Sequence, residues 1–518
     1  MVQEPGAPWW RDAVVYQIYP RSFADGTGDG VGDLSGIRAH LDYLADLGVD
    51  AIWLSPIYPS PMADNGYDVS DYCDIDPVFG DLATFDALLA EAHARDIKVL
   101  LDWVPNHTSD QHPWFVASRS SRGNPKRDWY YWRDGRDADN PDTAPPNNWR
   151  AAFGGIAWTW DEPTQQWYLH NFLPQQPDLN WNHQEVVEAM HATLRFWLDR
   201  GVDGFRMDVI HMIGKDPELP DAPPAEANTN RVVFNDYPGT HALLRGIRKV
   251  LDSYPGDRTA VGEVNLRDTD RIVTYYGRDD ELPLVFNFNS VRIGWDAAEW
   301  SALVDEVERY YVGDRWPVWV LSNHDIVRHR TRYGGSEARA RAAAVLLLTL
   351  RGTPFLYAGE ELGLCNAEVP PEQAHDPGGR DGCRAPIPWT ADAAHGWTGA
   401  TPWLPFPPDA DRLNATTETG DDKSMLALYR ALLRVRRASP ALRRGELTRV
   451  DAPAGVLRYT RTHNDDSCTV IVNFNHFDVD VPLDNCTVVI DSNHTGNPVY
   501  DGRVGAETAV VVRPSVGP

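Results

Sequence analysis

The 518-residue chain is short of cysteine, of positive charge and of long apolar runs, and each shortage excludes a class of protein. Its five cysteines (Cys73, Cys365, Cys383, Cys468 and Cys486) include no C-x-x-C pair, and their number is odd. Neither a zinc site nor a disulfide framework is expected. Lys and Arg number 48 against 75 Asp and Glu, for a formal net charge of −27. Such a field repels nucleic acid and anionic lipid, so no polyanionic partner is expected. No apolar run is long enough to span a bilayer, and "AAAVLLLTL" (342–350) reads as a buried helix. The opening residues "MVQEPGAPWWRDAVVYQIYP" lack a basic segment followed by an apolar one, so no secretory signal or membrane partner is expected. A cytoplasmic location and a monomer or small homo-oligomer follow as defaults.

What remains is an ordinary soluble composition in a chain long enough for a large core with appended modules. Strand-like runs recur: 14–20, 51–56, 98–104, 204–210, 259–264, 284–289, 318–323 and 354–359. Helical patterns such as "IRAHLDYLADLG" and "VVEAMHATLRFWLDRG" separate them. Eight strands alternating with helices predict an α/β fold, a (β/α)8 TIM barrel. Residues 105–175 are rich in Trp, Pro, Asn and Asp and read as a loop-rich subdomain inserted after the third strand. Residues 364–420 are a second irregular stretch. The barrel is therefore expected over 1–104 and 176–440. Residues 441–518, with short alternating strands and turn residues, read as a C-terminal antiparallel β-sandwich.

In such a barrel, reactive groups stand at the C-terminal ends of strands. Here strand three ends in "DWVPNH", giving Asp102, Asn106 and His107. Strand four, "GFRMDVI", gives Arg206 and Asp208. Strand five, "VGEV", gives Glu263, and strand seven runs into "LSNHD", giving His324 and Asp325. Alternation puts Arg206 and Asp208 on one face, away from Phe205, Met207 and Val209. One such aspartate is ordinarily half of an ion pair. Three acids at three strand ends, with two histidines and an arginine nearby, are a set that can hold one acid ionised and another protonated. Glycoside cleavage needs such a pair.

In this order "DWVPNH", "GFRMD", "GEV" and "SNHD" resemble the signature regions of the α-amylase superfamily. "QPDLNW" (176–181), "DNGYDVSDY" and "GRDGCRAPIPW" resemble its α-glucosidase and oligo-1,6-glucosidase branch. The resemblance runs from about residue 9 to about residue 390. It implies a retaining, exo-acting α-glucosidase that hydrolyses terminal α-1,4- or α-1,6-linked glucose from small α-glucoside oligosaccharides such as maltose and isomaltose. Asp208 would be the nucleophile, Glu263 the acid/base and Asp325 the transition-state stabiliser. Arg206 would keep Asp208 ionised, and His107 and His324 would donate to the sugar. Asp64 would grip the terminal hydroxyls, paired with Arg380 (Arg384 being the nearby competitor). Tyr67 would stack under the ring and Phe172 would form a wall. The bland readings are core packing for the aromatics and a surface pair for Asp64 and Arg380. Val209, after the nucleophile, accompanies α-1,6 cleavage in the family. A transglucosylase or a maltose or sucrose isomerase would use the same three acids. A transporter-associated relative would lack them and carry a membrane helix.

Residues 211–237 form a long insertion after strand four, either lining the aglycone site or a solvated loop. The early stretch "ADGTGDGVGDLSG" (24–36) has no G-x-G-x-x-G register and no following Gly-Lys-Ser/Thr, so it is not a phosphate cradle. Asp25, Thr27, Asp29, the Val31 carbonyl and Asp33 fall at alternate positions, the early ligand spacing of a calcium loop. Gly36 at the twelfth position rules out an EF-hand. The family resemblance implies a structural Ca2+ or Mg2+ there, usually with Asn where this chain has Thr27. No organic cofactor is expected.

Overall fold

A computed structural model describes residues 7–224 and 235–515. Eight parallel strands form the central sheet: Val15–Ile18, Ala51–Leu54, Lys98–Trp103, Gly204–Met207, Thr259–Gly262, Leu284–Val285, Val318–Val320 and Thr353–Tyr357. Seven of the eight strand-like runs in the sequence contain one of them, and the eighth, 354–359, overlaps Thr353–Tyr357. Neighbours in sequence are neighbours in the sheet, and the eighth strand pairs with the first, so the sheet curls into a barrel. Among the described residues no ladder joins the sixth strand to the seventh. There the Tyr276 hydroxyl accepts from the Val285 amide (3.3 Å) and donates to the Trp316 carbonyl (2.6 Å), and Ser290 Oγ donates to the Val320 carbonyl (2.7 Å).

The barrel's interior follows from the period of two. Val15, Ala51, Trp53, Leu100, Val261, Leu284, Val318, Val320 and Phe355 belong to one buried apolar cluster, the floor. Two residues further along the same faces the chain turns polar: Val15 gives way to Gln17, Leu100 to Asp102, Val261 to Glu263. The alternate faces (Tyr16, Ile52, Val99, Phe205, Ala260) pack against the surrounding helices in a larger cluster. "AAAVLLLTL" lies mostly in the helix Glu337–Thr349, and Ala340 through Thr349 are buried. The single helical run "IRAHLDYLADLG" is broken at His40 into Leu34–Ala39 and Leu41–Leu47, with the imidazole Nδ1 within 2.8 Å of the Gly36 carbonyl.

The segment after strand three is less loop-like than its composition predicts. It holds the helix Pro113–Ser120, with Pro at its first position and His112 Nδ1 accepting from the Trp114 amide. It also holds a three-stranded antiparallel sheet, Trp132–Arg133, Gln166–Leu169 and Trp158–Asp161. Residues 364–420 carry only short turns and the helix Ala415–Thr419. At the C-terminus a five-stranded antiparallel sheet runs in the order Glu446–Arg449, Val456–His463, Asp466–Asn473, Ala509–Pro514, Cys486–Asp491. Val456, Ile471, Val510 and Val512 of that sheet bury themselves against Val481 and Val504, at the two-stranded pair Val479–Asp480 and Arg503–Val504. Among the described residues no helix is long and apolar enough to cross a membrane. The part of the 211–237 insertion at 225–234 lies outside the described residues.

Candidate active site

The polar rim above the apolar floor is organised by one guanidinium. Arg206 is opposite Asp102 in the parallel register of strands three and four and 1% exposed. Its Nη1 donates to both oxygens of Asp102 (2.8 and 2.9 Å) and lies 2.9 Å from Asp208 Oδ1; its Nη2 donates to Glu263 Oε2. Three carboxyls from three strand ends thus share one positive charge. Asp208 and Glu263 are 6% and 8% exposed, enough to face a ligand, whereas Arg206 lies beneath them.

That sharing sets the protonation of the site. Burial raises the Asp208 carboxyl well above the ordinary aspartate range. Arg206 pulls the other way, as expected, but Glu263, Asp102 and Asp325 add their repulsion, and the net direction is up. Burial likewise carries Asp102 to about 6 against the pull of Arg206. Asp325 goes the other way. Burial alone would raise it, but His324, Arg380 and Arg384 together outweigh burial and hold it below its ordinary range. Divergent acids in one site are what acid/base chemistry requires.

The backbone at Val209 is unusual. This β-branched residue has φ of +35°, in the left-handed region. The turn brings its amide to within 3.3 Å of Glu263 Oε2, to which it donates. Strain of this kind gathers at functional sites.

A second charge group closes one side. Arg380 Nη2 donates to Asp64 Oδ1 (2.7 Å) and to Asp376 Oδ1 (2.6 Å), and Nη1 donates to Asp325 Oδ1 (2.8 Å). Arg380 is therefore the partner of Asp64. Arg384 reaches Asp376, Asp325 and the His324 carbonyl instead. Asp64 is buried, not a surface group, and burial raises it to about 6 despite Arg380. Asp376 bridges both arginines and was not singled out in the sequence; nor was Gln176, whose Nε2 donates to Asp64 Oδ2 (3.0 Å).

His324 lies between Tyr67 (ring centroids 5.3 Å apart, planes nearly parallel) and Tyr19 (5.8 Å). The Tyr67 hydroxyl donates to Asp102 Oδ2 (2.9 Å) and meets His324 Nε2 at 2.6 Å. Gln17, another residue the sequence did not flag, meets His324 Nδ1 at 2.7 Å. Phe172 packs on His107 at 5.1 Å, and Phe153 carries the Arg380 guanidinium over its face at 5.4 Å. Burial lowers His107 to about 4 and His324 to about 3, so both are neutral near neutral pH. All ten sequence-predicted catalytic and sugar-binding residues gather around these two charge groups.

The early loop stands apart. Asp25 accepts from the amides of Thr27, Gly28 and Gly30, Asp29 from that of Val31, and Asp33 from those of Gly26 and Gly36. Among the described residues no three Asp, Glu, His or Cys side chains come together as a metal-ligating group. As placed, the loop's carboxylates answer its own amides and do not converge on a cation. Its glycines serve close packing. A Cβ on Gly36 would lie 2.0 Å from the Ala24 carbonyl, and one on Gly30 (φ +88°) 2.3 Å from the Thr401 carbonyl. The amides of Ala400 and Trp403 donate to the carbonyls of Gly28 and Gly30, tying the loop to the irregular segment that carries Arg380.

Residues 17–445 match the family model described as alpha amylase, catalytic domain. The chain is 43% identical over 502 residues to a probable alpha-glucosidase of Rhizobium meliloti (strain 1021), covering 91% of this chain and 90% of that protein. It is 40% identical over 517 residues to an oligo-1,6-glucosidase of Parageobacillus thermoglucosidasius, covering 90% of each. The crystal structure of an alpha-glucosyl transfer enzyme, XgtA, superposes with a TM-score of 0.90 at 41% identity, covering 98% of this chain and all (100%) of that one.

Proposed function

This chain belongs to the α-amylase family, and from that premise we propose that it is a retaining, exo-acting α-glucosidase. It removes terminal glucose, α-1,4- or α-1,6-linked, from short oligosaccharides such as maltose and isomaltose. The observation that carries this reading is the seating of Asp208 and Glu263 on the two ends of one buried guanidinium, with Asp325 on a second charge group beside them. A shared arginine keeps two carboxyls close together, which suits double displacement better than a wider, water-accommodating gap.

In this mechanism the ionised Asp208 attacks the anomeric carbon and forms a β-glucosyl ester. Glu263 protonates the departing oxygen, then deprotonates the water that cleaves the ester. Burial favours the neutral form of Asp208, so attack draws on a carboxylate that is poorly solvated and correspondingly nucleophilic. Asp325, held ionised by Arg380 and Arg384, opposes the positive charge that develops on the ring. Asp64, fixed by Arg380 and Gln176, takes the terminal hydroxyls and closes the pocket to internal chain segments. His107 and His324 are neutral, and for either to donate to the sugar its N–H must turn from Tyr67, whose carbonyl faces His107 and whose hydroxyl faces His324; Phe172 supplies a wall.

The deciding experiment is Asp208→Asn. Glucose release from maltose and isomaltose should fall by about 10,000-fold or more, with the circular dichroism spectrum unchanged. Near-normal turnover by that variant would remove the assignment. A second reading, transfer of glucose to another sugar, is favoured by the likeness to XgtA. Product analysis at high maltose separates the two: transfer gives longer or rearranged sugars in place of free glucose.

Three smaller readings accompany this one. We propose a structural Ca2+ or Mg2+ at Asp25, Thr27, Asp29, Val31 and Asp33, supported by hard oxygens at alternate positions. It requires the carboxylates to turn from their amides. Bound ion by elemental analysis, with a chelator-dependent fall in Tm, supports it; no ion and an unchanged Tm leave a self-braced turn. A reducing, cytoplasmic location is supported by the five free cysteines, and a monomer or small homo-oligomer is tested by light scattering.

A further inference from the structure

Below the pocket lies a buried ammonium that the mechanism does not use. Lys215 belongs to the segment after strand four and has no exposed surface. Its Nζ donates to Asn106 Oδ1 (2.9 Å) and to the Met212 carbonyl (2.9 Å), and lies 2.9 Å from Asp178 Oδ2. The three oxygens come from three stretches: the end of strand three, the turn after Asp208, and the limb by which the insertion returns to the barrel. Asp178 Oδ1 in turn accepts from the Asn171 amide (2.8 Å). An unpaired charge here would be costly, and the pairing with Asp178 offsets most of that cost.

The consequence is a chain of forced orientations. An ammonium only donates, so Asn106 must turn its Oδ1 toward Lys215. That leaves Asn106 Nδ2 facing His107 Nδ1 at 3.1 Å. An amide nitrogen also only donates, so Nδ1 must accept and carry no proton. A neutral imidazole has one N–H, and it is therefore on Nε2. Nε2 has an acceptor waiting, the Tyr67 carbonyl at 3.1 Å. The Gln176 amide nitrogen also lies 3.1 Å from Nε2, with one of its hydrogens on Asp64 and its oxygen accepting from the Leu173 amide; the Tyr67 carbonyl is the acceptor that distinguishes Nε2 from Nδ1. Nδ1 has no such alternative.

We propose that Lys215 is a positioning residue: acting through Asn106, it fixes His107 as the Nε2–H tautomer, whose proton faces the Tyr67 carbonyl. The effect on turnover rests on the reading of His107 as a sugar-binding group; the tautomer does not.

The test uses the full-length protein labelled with 15N-histidine, the His107 signals being assigned by their loss in His107→Asn. At neutral pH the wild type should show a protonated Nε2 and a bare Nδ1; a protonated Nδ1 overturns the proposal. Replacing Lys215→Met together with Asp178→Asn removes both charges at once. In that protein the single-tautomer signature should be lost and KM for maltose should rise about tenfold with kcat changed less than about threefold, the pattern of lost ground-state binding. An unchanged tautomer and an unchanged KM overturn the proposal. Lys215→Arg keeps a donor-only cation and should retain the Nε2–H signature; loss of it overturns the relay. Should Asp208→Asn remain active, the glucosidase reading falls while the tautomer result stands on its own.

Discussion

Two groups of carboxylates can be set side by side. Asp25, Asp29 and Asp33 lie within nine positions of one another and are answered by amides of their own loop. Asp102, Asp208 and Glu263 are far apart in sequence and are answered by one side chain, Arg206, brought to them by strand register. The first group spends its charge on local geometry. The second is buried and under-neutralised, and burial raises the proton affinity of Asp102 and Asp208, which is the condition for chemistry. Density of acids in a sequence is thus a poor guide to reactivity; what answers each acid is the better one.

The contrast can be broken at several places, in descending order of effect. Asp208→Asn, beyond its loss of activity, should raise Tm, because it removes a buried charge whose carboxyl prefers its proton; a lower Tm would mean that Asp208 stabilises the fold as the loop aspartates do. Arg206→Met leaves three carboxyls without their shared cation and should cost about 3–5 kcal/mol in urea unfolding at neutral pH. A cost below about 1 kcal/mol would remove Arg206 as organiser. The pH profile comes next. The folded-state affinity of Asp208 is raised by burial, so ionised nucleophile is lost as pH falls through that raised value. The acid limb of kcat/KM should therefore lie above the ordinary aspartate pKa of about 3.9; a limb at or below that value contradicts the burial argument. The smallest effect is expected in the loop. Asp33→Ala removes the cap of the helix Leu34–Ala39 and should cost about 1 kcal/mol with kcat/KM unchanged. A large kinetic effect there would tie the loop to the pocket.

How far each part was legible follows from the same distinction. The eight barrel strands were readable because each is a short β-branched or aromatic run bounded by helical periods, and the acids and histidines at their ends keep fixed offsets from those runs. The inserted segment was not, because its strands are only two to four residues long and its helix has eight, too few for a period to emerge against Trp, Pro and Asn. The same brevity hid the pair Val479–Asp480 and Arg503–Val504. Asp376 and Lys215 had no sequence signal beyond being polar, and Gln176, though it opens the motif "QPDLNW", was not singled out within it; each acquires a role only where separate segments converge. For Gln17 the inward register of the first strand was an available clue, since Val15 two residues earlier points into the floor. Val209 was noted for its side chain, whereas the structure also gives its backbone a part, through the amide it turns toward Glu263.

The phenol of Tyr276 has a consequence for the cleft as a mechanical object. Glu263 follows the fifth strand and Asp325 the seventh. The long way round the ring between them crosses six peptide ladders; the short way crosses one ladder and a joint held by two side-chain hydroxyls, those of Tyr276 and Ser290. The barrel is therefore a split ring with a pin through its joint. On that side the spacing of Glu263 and Asp325 depends on the reach of two side-chain hydroxyls in place of a second ladder.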